Sequence, residues 1–498
     1  MSVERATRNV GWVFGLYLVR SALRLGYFVS FARKLEQMGF GSYYFLLAPV
    51  TILSITSALG LNVYLIRQIN RGITDVRRFI SRCFGLDLTS SLIFTMGLLI
   101  VAPFTPYTEE VRLGMAIMGL AVVPMALIGM MHSVGTACET LWPYAVLANA
   151  TPLAEAGIGI VLLFNGFGLI SLCILHTAVY WVFAIVFFIL TRVHIVRFGF
   201  HFRLRAWLGY LKTSWQVGVF AVQAVLYAHL GVIILSVMTG NRQVGLFGAA
   251  MTLVEALREA ANAFRAAVFP YMVRAWHRDP EELKRFNESC VRLLAAVTVP
   301  IGLLGVLLAG PVIRLLFQQK FAGSIPVLQV LSWLVFPLFM EAILVRVCHA
   351  SGHARLPILG HTVINVTRIA LSVVLVTTFA DDAAVGLAWA MLISGVAGFV
   401  VYTLLIRRYI YRFSPVEALA RTAAGAVVPV ALVVLLSGRV NPFLLAVMVV
   451  VTSVAGVFLF RMFTAREFEI FRRVLLSFAG RKPEVVDSAV KTLDDTEL

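Results

Sequence analysis

Apolar runs of about 20 residues, broken only by short polar, proline or glycine clusters, follow one another along nearly all of the 498-residue chain. About 20 residues of α-helix span the roughly 30 Å of hydrocarbon in a bilayer, where a free backbone N–H or C=O finds no partner. Such a chain folds as a bundle of membrane-spanning helices. Composition agrees, with 60% hydrophobic and 13% charged residues against a soluble norm of about half and a quarter. No stretch between the runs is long enough for a separate soluble domain, which excludes a soluble catalytic domain. The net charge of +17 does not point to nucleic acid, because the basic residues fall mainly in short segments between runs, where they set orientation. Five scattered cysteines without a C-x-x-C pair give neither a disulfide framework nor a metal site.

Fourteen runs are expected to span: residues 10–31, 42–66, 83–103, 113–133, 144–164, 169–190, 214–238, 245–272, 291–312, 326–350, 357–379, 385–406, 418–436 and 442–460. The first follows Arg5 and Arg8 as a signal peptide would, but it contains Arg20 and Arg24 and lacks a small-residue cleavage site, so it reads as a retained helix. With both termini cytoplasmic, inner segments hold 29 of the 42 Lys and Arg residues and outer loops hold 7. The other six, Arg20, Arg24, Arg258, Arg265, Arg346 and Arg368, fall inside runs.

Gly41-Ser42-Tyr43 opens the second run and Gly245-Leu246-Phe247 the eighth, an offset of 204 residues. An offset of six helices places both copies in one orientation, as two lobes about an axis along the membrane normal that enclose a central cavity. The expected organisation is a six-helix lobe over 1–190, a cytoplasmic linker over 191–213, a second lobe over 214–406, two added helices over 407–461 and a tail over 462–498. In that tail Phe468, Phe471, Leu475 and Phe478 recur at helical spacing beside Arg466, Arg472 and Arg473, as in a helix on an anionic surface or a basic topology anchor. The end from Pro483 is polar and acidic, as disordered tails are.

The intramembrane charges carry the functional signal. An arginine at mid-membrane costs about 2.5–3.5 kcal/mol, so Arg20 and Arg24 together cost about as much as the apolar residues of the first run return. They must face water, a ligand or partner groups. At 100° per residue Tyr17, Arg20, Arg24, Tyr27 and Phe31 share one narrow face, and no acid in that run neutralises it. On the eighth run Glu255, Arg258, Asn262 and Arg265 share an arc, with Glu255–Arg258 and Glu259–Arg258 pairing within helical reach. Gln216, Gln223 and Tyr227 on the seventh run, Glu341 and Arg346 on the tenth, Asn365 and Arg368 on the eleventh, and Glu155 on the fifth extend the polar set. Snorkelling or local pairing accounts for Arg265, Arg346 and Arg368. Glu155 and Glu341 are candidate proton or cation sites, or partners of an arginine. His349 and His353 mark a helix end, and the histidines show no metal spacing. Arginine in excess over acid selects an anion, and its planar fork suits phosphate. Two or three match a pyrophosphate, while Tyr17, Tyr27 and Tyr227 suit sugar rings or ordinary packing.

Arg8-Asn9-Val10-Gly11-Trp12 through Arg20, Ala32-Arg33-Lys34-Leu35 with Gly39-Phe40-Gly41-Ser42-Tyr43, and Leu59-Gly60-Leu61-Asn62 leading to Ile66-Arg67 resemble polysaccharide biosynthesis flippases. Val244-Gly245-Leu246-Phe247 with Ala249-Ala250, and Gly386-Leu387-Ala388-Trp389-Ala390, are similar to that family's eighth and twelfth helices. These are the Wzx-type lipid-linked oligosaccharide translocases of the multidrug/oligosaccharidyl-lipid/polysaccharide exporter superfamily. The resemblance implies an all-α integral membrane protein: two six-helix lobes in a V around a cavity, plus two C-terminal helices, working by alternating access in the bacterial inner membrane. It implies an undecaprenyl-diphosphate-linked oligosaccharide as substrate, with Arg20, Arg24 and Arg258 on the helices that hold the diphosphate in the related lipid II flippase. Tyr17, Tyr27, Asn262 and Gln223 complete the expected cavity. No cofactor or nucleic acid is implied, membrane lipids are, and a polymerase and glycosyltransferases of the same pathway are possible partners.

A drug or cation exporter of the same superfamily would share the fold with a more acidic or apolar cavity. A membrane polymerase or ligase would require a long external loop, whereas the longest here covers residues 313–325. A scaffold gives no reason for unneutralised arginines. The topology is checked by reporter fusions: those in 192–212 and at the C-terminus should read as cytoplasmic, and a periplasmic signal from either would overturn the map.

Overall fold

The computed structural model describes the backbone of residues 3–436 and 438–459, with side chains from residue 22 apart from those at 141, 263, 266, 267, 418, 437 and 458. The amphipathic stretch from Phe468 and the acidic tail lie outside the described residues. These fold into sixteen α-helices: α1 Val3–Ser57, α2 Leu61–Asn70, α3 Val76–Val101, α4 Glu109–Gly119, α5 Val122–Ala137, α6 Leu141–Phe164, α7 Leu169–His194 and α8 Leu204–Thr239. The second half comprises α9 Asn241–Arg278, α10 Pro280–Phe317, α11 Ser324–Ser332, α12 Val335–Ala350, α13 Arg355–Thr378, α14 Ala383–Tyr409, α15 Val416–Leu436 and α16 Pro442–Leu459.

Ten helical stretches are long and apolar enough to cross a membrane, eleven if α11 and α12, bent by 40° at their break, form one span. The difference from fourteen runs has three sources. The first two runs lie in one helical stretch, Ala22–Asn70, kinked at Glu36 and again before Leu61, α16 is described only to Leu459, and α9 is absent from the set. That last helix carries Glu255, Arg258, Glu259 and Arg265 in its middle, a charge load that hydrocarbon does not tolerate unpaired. The segment expected as a linker, 191–213, takes in the end of α7 and the start of α8, with only residues 195–203 non-helical between them. Lipid-facing stripes remain apolar and exposed, as on α7, where Val182, Ile185, Ile189 and Val193 recur at helical spacing.

The offset of 204 residues reappears in the backbone. Helix α1 breaks at Glu36 (φ 59°, ψ −174°), and Gly240, which opens α9, takes nearly the same conformation (φ 82°, ψ 175°). One turn further on, the two helices cross backbone to backbone. A Cβ on Gly41 would run into the Asn241 carbonyl, and a Cβ on Gly245 into the Gln37 carbonyl. These contacts map onto each other under the same offset, so the two phrases of the repeat meet. Asn241 Nδ2 donates to Ser42 Oγ (2.9 Å) while Ser236 Oγ donates to Asn241 Oδ1 (2.7 Å). Around them Arg33 donates to the Leu316 and Leu315 carbonyls (2.7 and 2.6 Å), Arg242 Nε to Gln37 Oε1 (2.9 Å), and Lys320 pairs with Glu36 (2.6 Å).

At the opposite end a second close approach joins the halves, where Gly60 meets the Gly218 backbone and Ser214 Oγ donates to the Leu59 carbonyl (3.1 Å). The crossing of α1 and α9 yields a prediction. Ser42→Cys, buried in that seam, should be unreactive toward a membrane-impermeant maleimide, and adding Gly245→Val should make it reactive by forcing the helices apart. Equal labelling with and without the valine would show that this contact does not hold the seam closed.

Candidate functional site: a polar cavity beside the α1–α9 crossing

Below the seam, α1, α5, α6, α7, α8 and α9 enclose a cavity of about 400 Å³. Its polar wall carries Arg24, Tyr27, Tyr43 and Tyr44 from α1, Glu155 from α6, His176 and Tyr180 from α7, His229 from α8 and Glu255 from α9. Arg24 and Tyr27 of the first run's cationic, aromatic face thus line the cavity. Arg24 lies along the Phe28 ring, 5.6 Å from its centroid.

Two charge systems occupy this wall. In the first, Glu255 stands between two arginines, with Arg24 at 3.8 Å and Arg258 at 3.6 Å. The first run holds no acid of its own, and the carboxylate that pairs with Arg24 comes from α9, which no reading of α1 alone can find. Glu255 is thus shared by two guanidinium groups. Arg258 is the less satisfied, because its Nε and one terminal nitrogen are closed to solvent with no hydrogen-bond partner among the described residues. In the second system Glu155 Oε1 accepts from the Tyr43 hydroxyl (2.8 Å) and from His176 Nδ1 (2.8 Å). Tyr27 completes the chain, its hydroxyl 3.3 Å from that of Tyr43. Glu155 therefore pairs with a histidine rather than an arginine.

A matching system lies in the second half. Glu341 Oε1 sits 3.3 Å from His361 Nε2, and His361 Nδ1 is hydrogen-bonded to Tyr402 (2.5 Å). Beside it Arg368 is 2% exposed, stacked 3.7 Å above the Tyr227 ring. It donates to Ser394 Oγ (2.9 Å), to the Met391 carbonyl (3.4 Å) and to the Tyr227 carbonyl. Snorkelling is thus the wrong account of Arg368, whose head is enclosed at mid-helix where α8, α13 and α14 meet. Gln223 belongs here: its side-chain amide donates to Thr362 Oγ1 (2.5 Å) and its backbone carbonyl accepts from Asn365 Nδ2 (3.0 Å).

Of the residues expected to form the site, Arg24, Tyr27 and Glu155 line the cavity, and Arg258 joins through Glu255. Gln223 and Glu341 belong to the second-half system, and Asn262 is half-buried one turn beyond Arg258, off the cavity wall. The Tyr17 and Arg20 side chains lie outside the described residues. The sequence reading missed His176, His229, His361 and Asp87. The last is the one charged residue of its run, fully buried with neither carboxylate oxygen partnered among the described residues. An ionisable residue inside an apolar run is itself the signal that would have found all four.

Among the described residues, an all-helical bundle of spanning length with a charged cavity between its helices defines a multi-pass membrane protein. The polysaccharide biosynthesis protein family matches residues 6–276, and the lipid II flippase MurJ family matches residues 236–469. The first match covers more than half of the sequence, and the chain belongs to the polysaccharide biosynthesis protein family. No curated protein matches. Among solved structures the fold is similar to the lipid II flippase MurJ in an inward closed conformation, with a TM-score of 0.74 at 13% identity, covering 93% of this chain and 99% of that one. It is also similar to an inward-facing multidrug resistance MATE transporter of the MOP superfamily, with a TM-score of 0.61 at 16% identity, covering 78% and 94%. The Vibrio cholerae MATE transporter VcmN aligns with a TM-score of 0.54 at 11% identity, covering 82% and 97%.

Replacing Arg368 tests the enclosed reading of that residue. Arg368→Leu strands two carbonyls and a hydroxyl and should destabilise the protein by about 3 kcal/mol. The measurement is thermal unfolding of the purified protein in detergent, and an unchanged midpoint would mean that the arginine head is not held in the core.

Proposed function

We propose that this protein is a flippase that moves an undecaprenyl-diphosphate-linked oligosaccharide from the cytoplasmic to the periplasmic leaflet of the bacterial inner membrane, for assembly of a surface polysaccharide such as O-antigen, capsule or exopolysaccharide. The observation that carries the reading is the shared carboxylate at Glu255: Arg24 and Arg258 both pair with it, and two buried donors of Arg258 have no hydrogen-bond partner among the described residues. Unpaired guanidinium donors in a low-dielectric site are costly. A diphosphate offers the oxygens and charge that satisfy them, and Arg20 one turn before Arg24 adds a third cation on the same helix. Moving the glycan through hydrocarbon costs several kcal/mol per unpaired polar group, so a polar cavity open to one leaflet at a time, with the lipid tail outside, is the physical route. The two lobes read from the repeat would rock about the α1–α9 seam.

One observation favours a second reading, export of a drug or small cation: the cavity wall also holds Glu155. Its pairing with His176 suits a proton carrier instead, and Glu341 with His361 is the matching candidate in the second half. Each carboxylate would take up or release a proton as its lobe opens.

Arg24→Ala, Arg258→Ala and Arg20→Ala should each impair glycan export in a flippase-deficient strain at normal membrane abundance, and lysine should rescue in part because it lacks the bidentate fork. Full export by the Arg20, Arg24 double alanine variant would sink the diphosphate reading. Glu155→Gln and Glu341→Gln should weaken the dependence of transport on the pH gradient, and unchanged dependence in both would remove them as carriers. Loss of drug-cation efflux in Glu155→Gln with glycan export intact would favour the second reading.

A further inference from the structure

Asp87 lies midway along α3, fully buried, and both of its carboxylate oxygens are closed to solvent with no hydrogen-bond partner among the described residues. The acids already described are each engaged: Glu155 by Tyr43 and His176, Glu255 by Arg24 and Arg258, Glu341 by His361. On its own helix Cys83 stands one turn before Asp87 and Ser90 one turn after, while Arg82 lies about 140° round the helix. The end of α1 brings hydroxyls only, from Ser54, Thr56 and Ser57. The other elements packed on α3 bring Tyr64 and Arg67 from α2, His132 from α5, Tyr210 and Lys212 from α8, and Glu109, Glu110 and Arg112 at the start of α4. None of these groups is hydrogen-bonded to the Asp87 carboxylate.

Two contacts place Asp87 beside the closure that joins the halves at this end. Ser90 Oγ donates to the Ser57 carbonyl of α1 (2.7 Å). Two residues beyond Ser57 the Leu59 carbonyl accepts from Ser214 Oγ of α8 (3.1 Å), and Gly60, at φ 77°, meets the Gly218 backbone. From the same helix α3, a Cβ on Gly85 would lie 3.1 Å from the Trp207 ring of α8. Two more oxygens here are closed and without partners among the described residues, Thr56 Oγ1 next to Ser57 and Asn62 Oδ1 in the first turn of α2. Water entering as α8 parts from α1 and α2 would satisfy them all. A bare carboxylate in a dry setting costs far more than a neutral acid, whose only loss is an unmade hydrogen bond. The closed arrangement therefore selects the protonated form, and a hydrated, open one selects the anion.

We infer that Asp87 is a proton-binding site that keeps the Leu59–Gly60 contact with α8 closed: the carboxyl group holds its proton while α1, α2 and α8 are together and gives it to entering water when they part. Loss of that proton in turn favours the open arrangement, because the state that binds a ligand less tightly gains as the ligand is withdrawn. The site is separate from the polar cavity, whose wall does not include Asp87, and from Glu155 and Glu341. It rests on burial and on contacts within the chain, and not on the proposed flippase reading.

Asp87 is the one buried aspartate among the described residues, so infrared spectroscopy can read it directly. The purified full chain in nanodiscs, carrying isotope-labelled aspartate, should show at neutral pH the carbonyl band of a protonated acid shielded from water. The band should move with the label and vanish in Asp87→Asn. In parallel, spin labels at Arg71→Cys and Lys212→Cys, both exposed, in a Cys138→Ser background report the separation of the end of α2 from α8. A longer-distance component should grow as the acid band declines with rising pH. Asp87→Asn, which has no proton to release, should lack that component at every pH, and Asp87→Glu should restore it with a shifted midpoint. The band and the distances of the parent chain are read together, so the comparison does not depend on the folding of a variant. Absence of the labelled acid band at neutral pH would overturn the site. So would its loss on adding sodium at fixed pH, which would assign the carboxylate to a metal cation, or one and the same dependence of distance on pH in the parent and Asp87→Asn. None of these readouts involves a glycan lipid, so failure here is distinguishable from failure of the flippase reading, which glycan export by the Arg20, Arg24 variant decides.

Discussion

Backbone pressed against backbone at the crossing of α1 and α9 sets the geometry on which the charged interior depends. Gly41 and Gly245 each occupy a place where a single added carbon would strike a carbonyl of the opposing helix. Because the helices meet this closely, Glu255 on α9 comes within reach of Arg24 on α1. A wider crossing would leave the arginines of α1 without an acid. The polar contacts around the glycines, Asn241 to Ser42 and Arg33 to the carbonyls of α10, then fix the register of a junction that apolar packing alone would let slide.

Inside that frame the buried charges divide by how fully they are satisfied. Arg368, stacked on Tyr227 and hydrogen-bonded on three sides, and Glu155, accepting from Tyr43 and His176, have the partners that a low-dielectric interior demands. Arg258, Arg346 and Asp87 keep buried polar atoms without partners among the described residues. Satisfied groups stabilise one arrangement of helices. Unsatisfied ones raise its free energy, and a transporter needs that difference, since a ligand shifts a conformational equilibrium only by binding one state better than the other. The two carboxylate–histidine pairs, Glu155 with His176 and Glu341 with His361, lie one in each half but are not related by the offset of 204 residues.

Much of this was legible in the sequence because hydrocarbon imposes so few solutions. Runs of spanning length force helices, basic loops orient them, and arginine inside an apolar run announces a polar interior. Arg24, Tyr27 and Glu155 were found that way, and the offset between Gly41 and Gly245 reported a symmetry that the paired conformations of Glu36 and Gly240 display. His176 and Asp87 carry the same signal, an ionisable group inside an apolar run.

The sequence by itself determined that this is a bundle of membrane-spanning helices with cationic and aromatic faces turned inward, because periodicity and transfer free energy act along one helix at a time. Tertiary structure alone decided which charges meet. Glu255 serves Arg24 from 231 residues away, Arg368 is enclosed rather than snorkelling, Gln223 is taken up by α13, and Arg346 lies over the Phe269 ring of α9. Those pairings depend on the distance and rotation between helices, which the glycine crossing fixes and which no pattern within a single helix records.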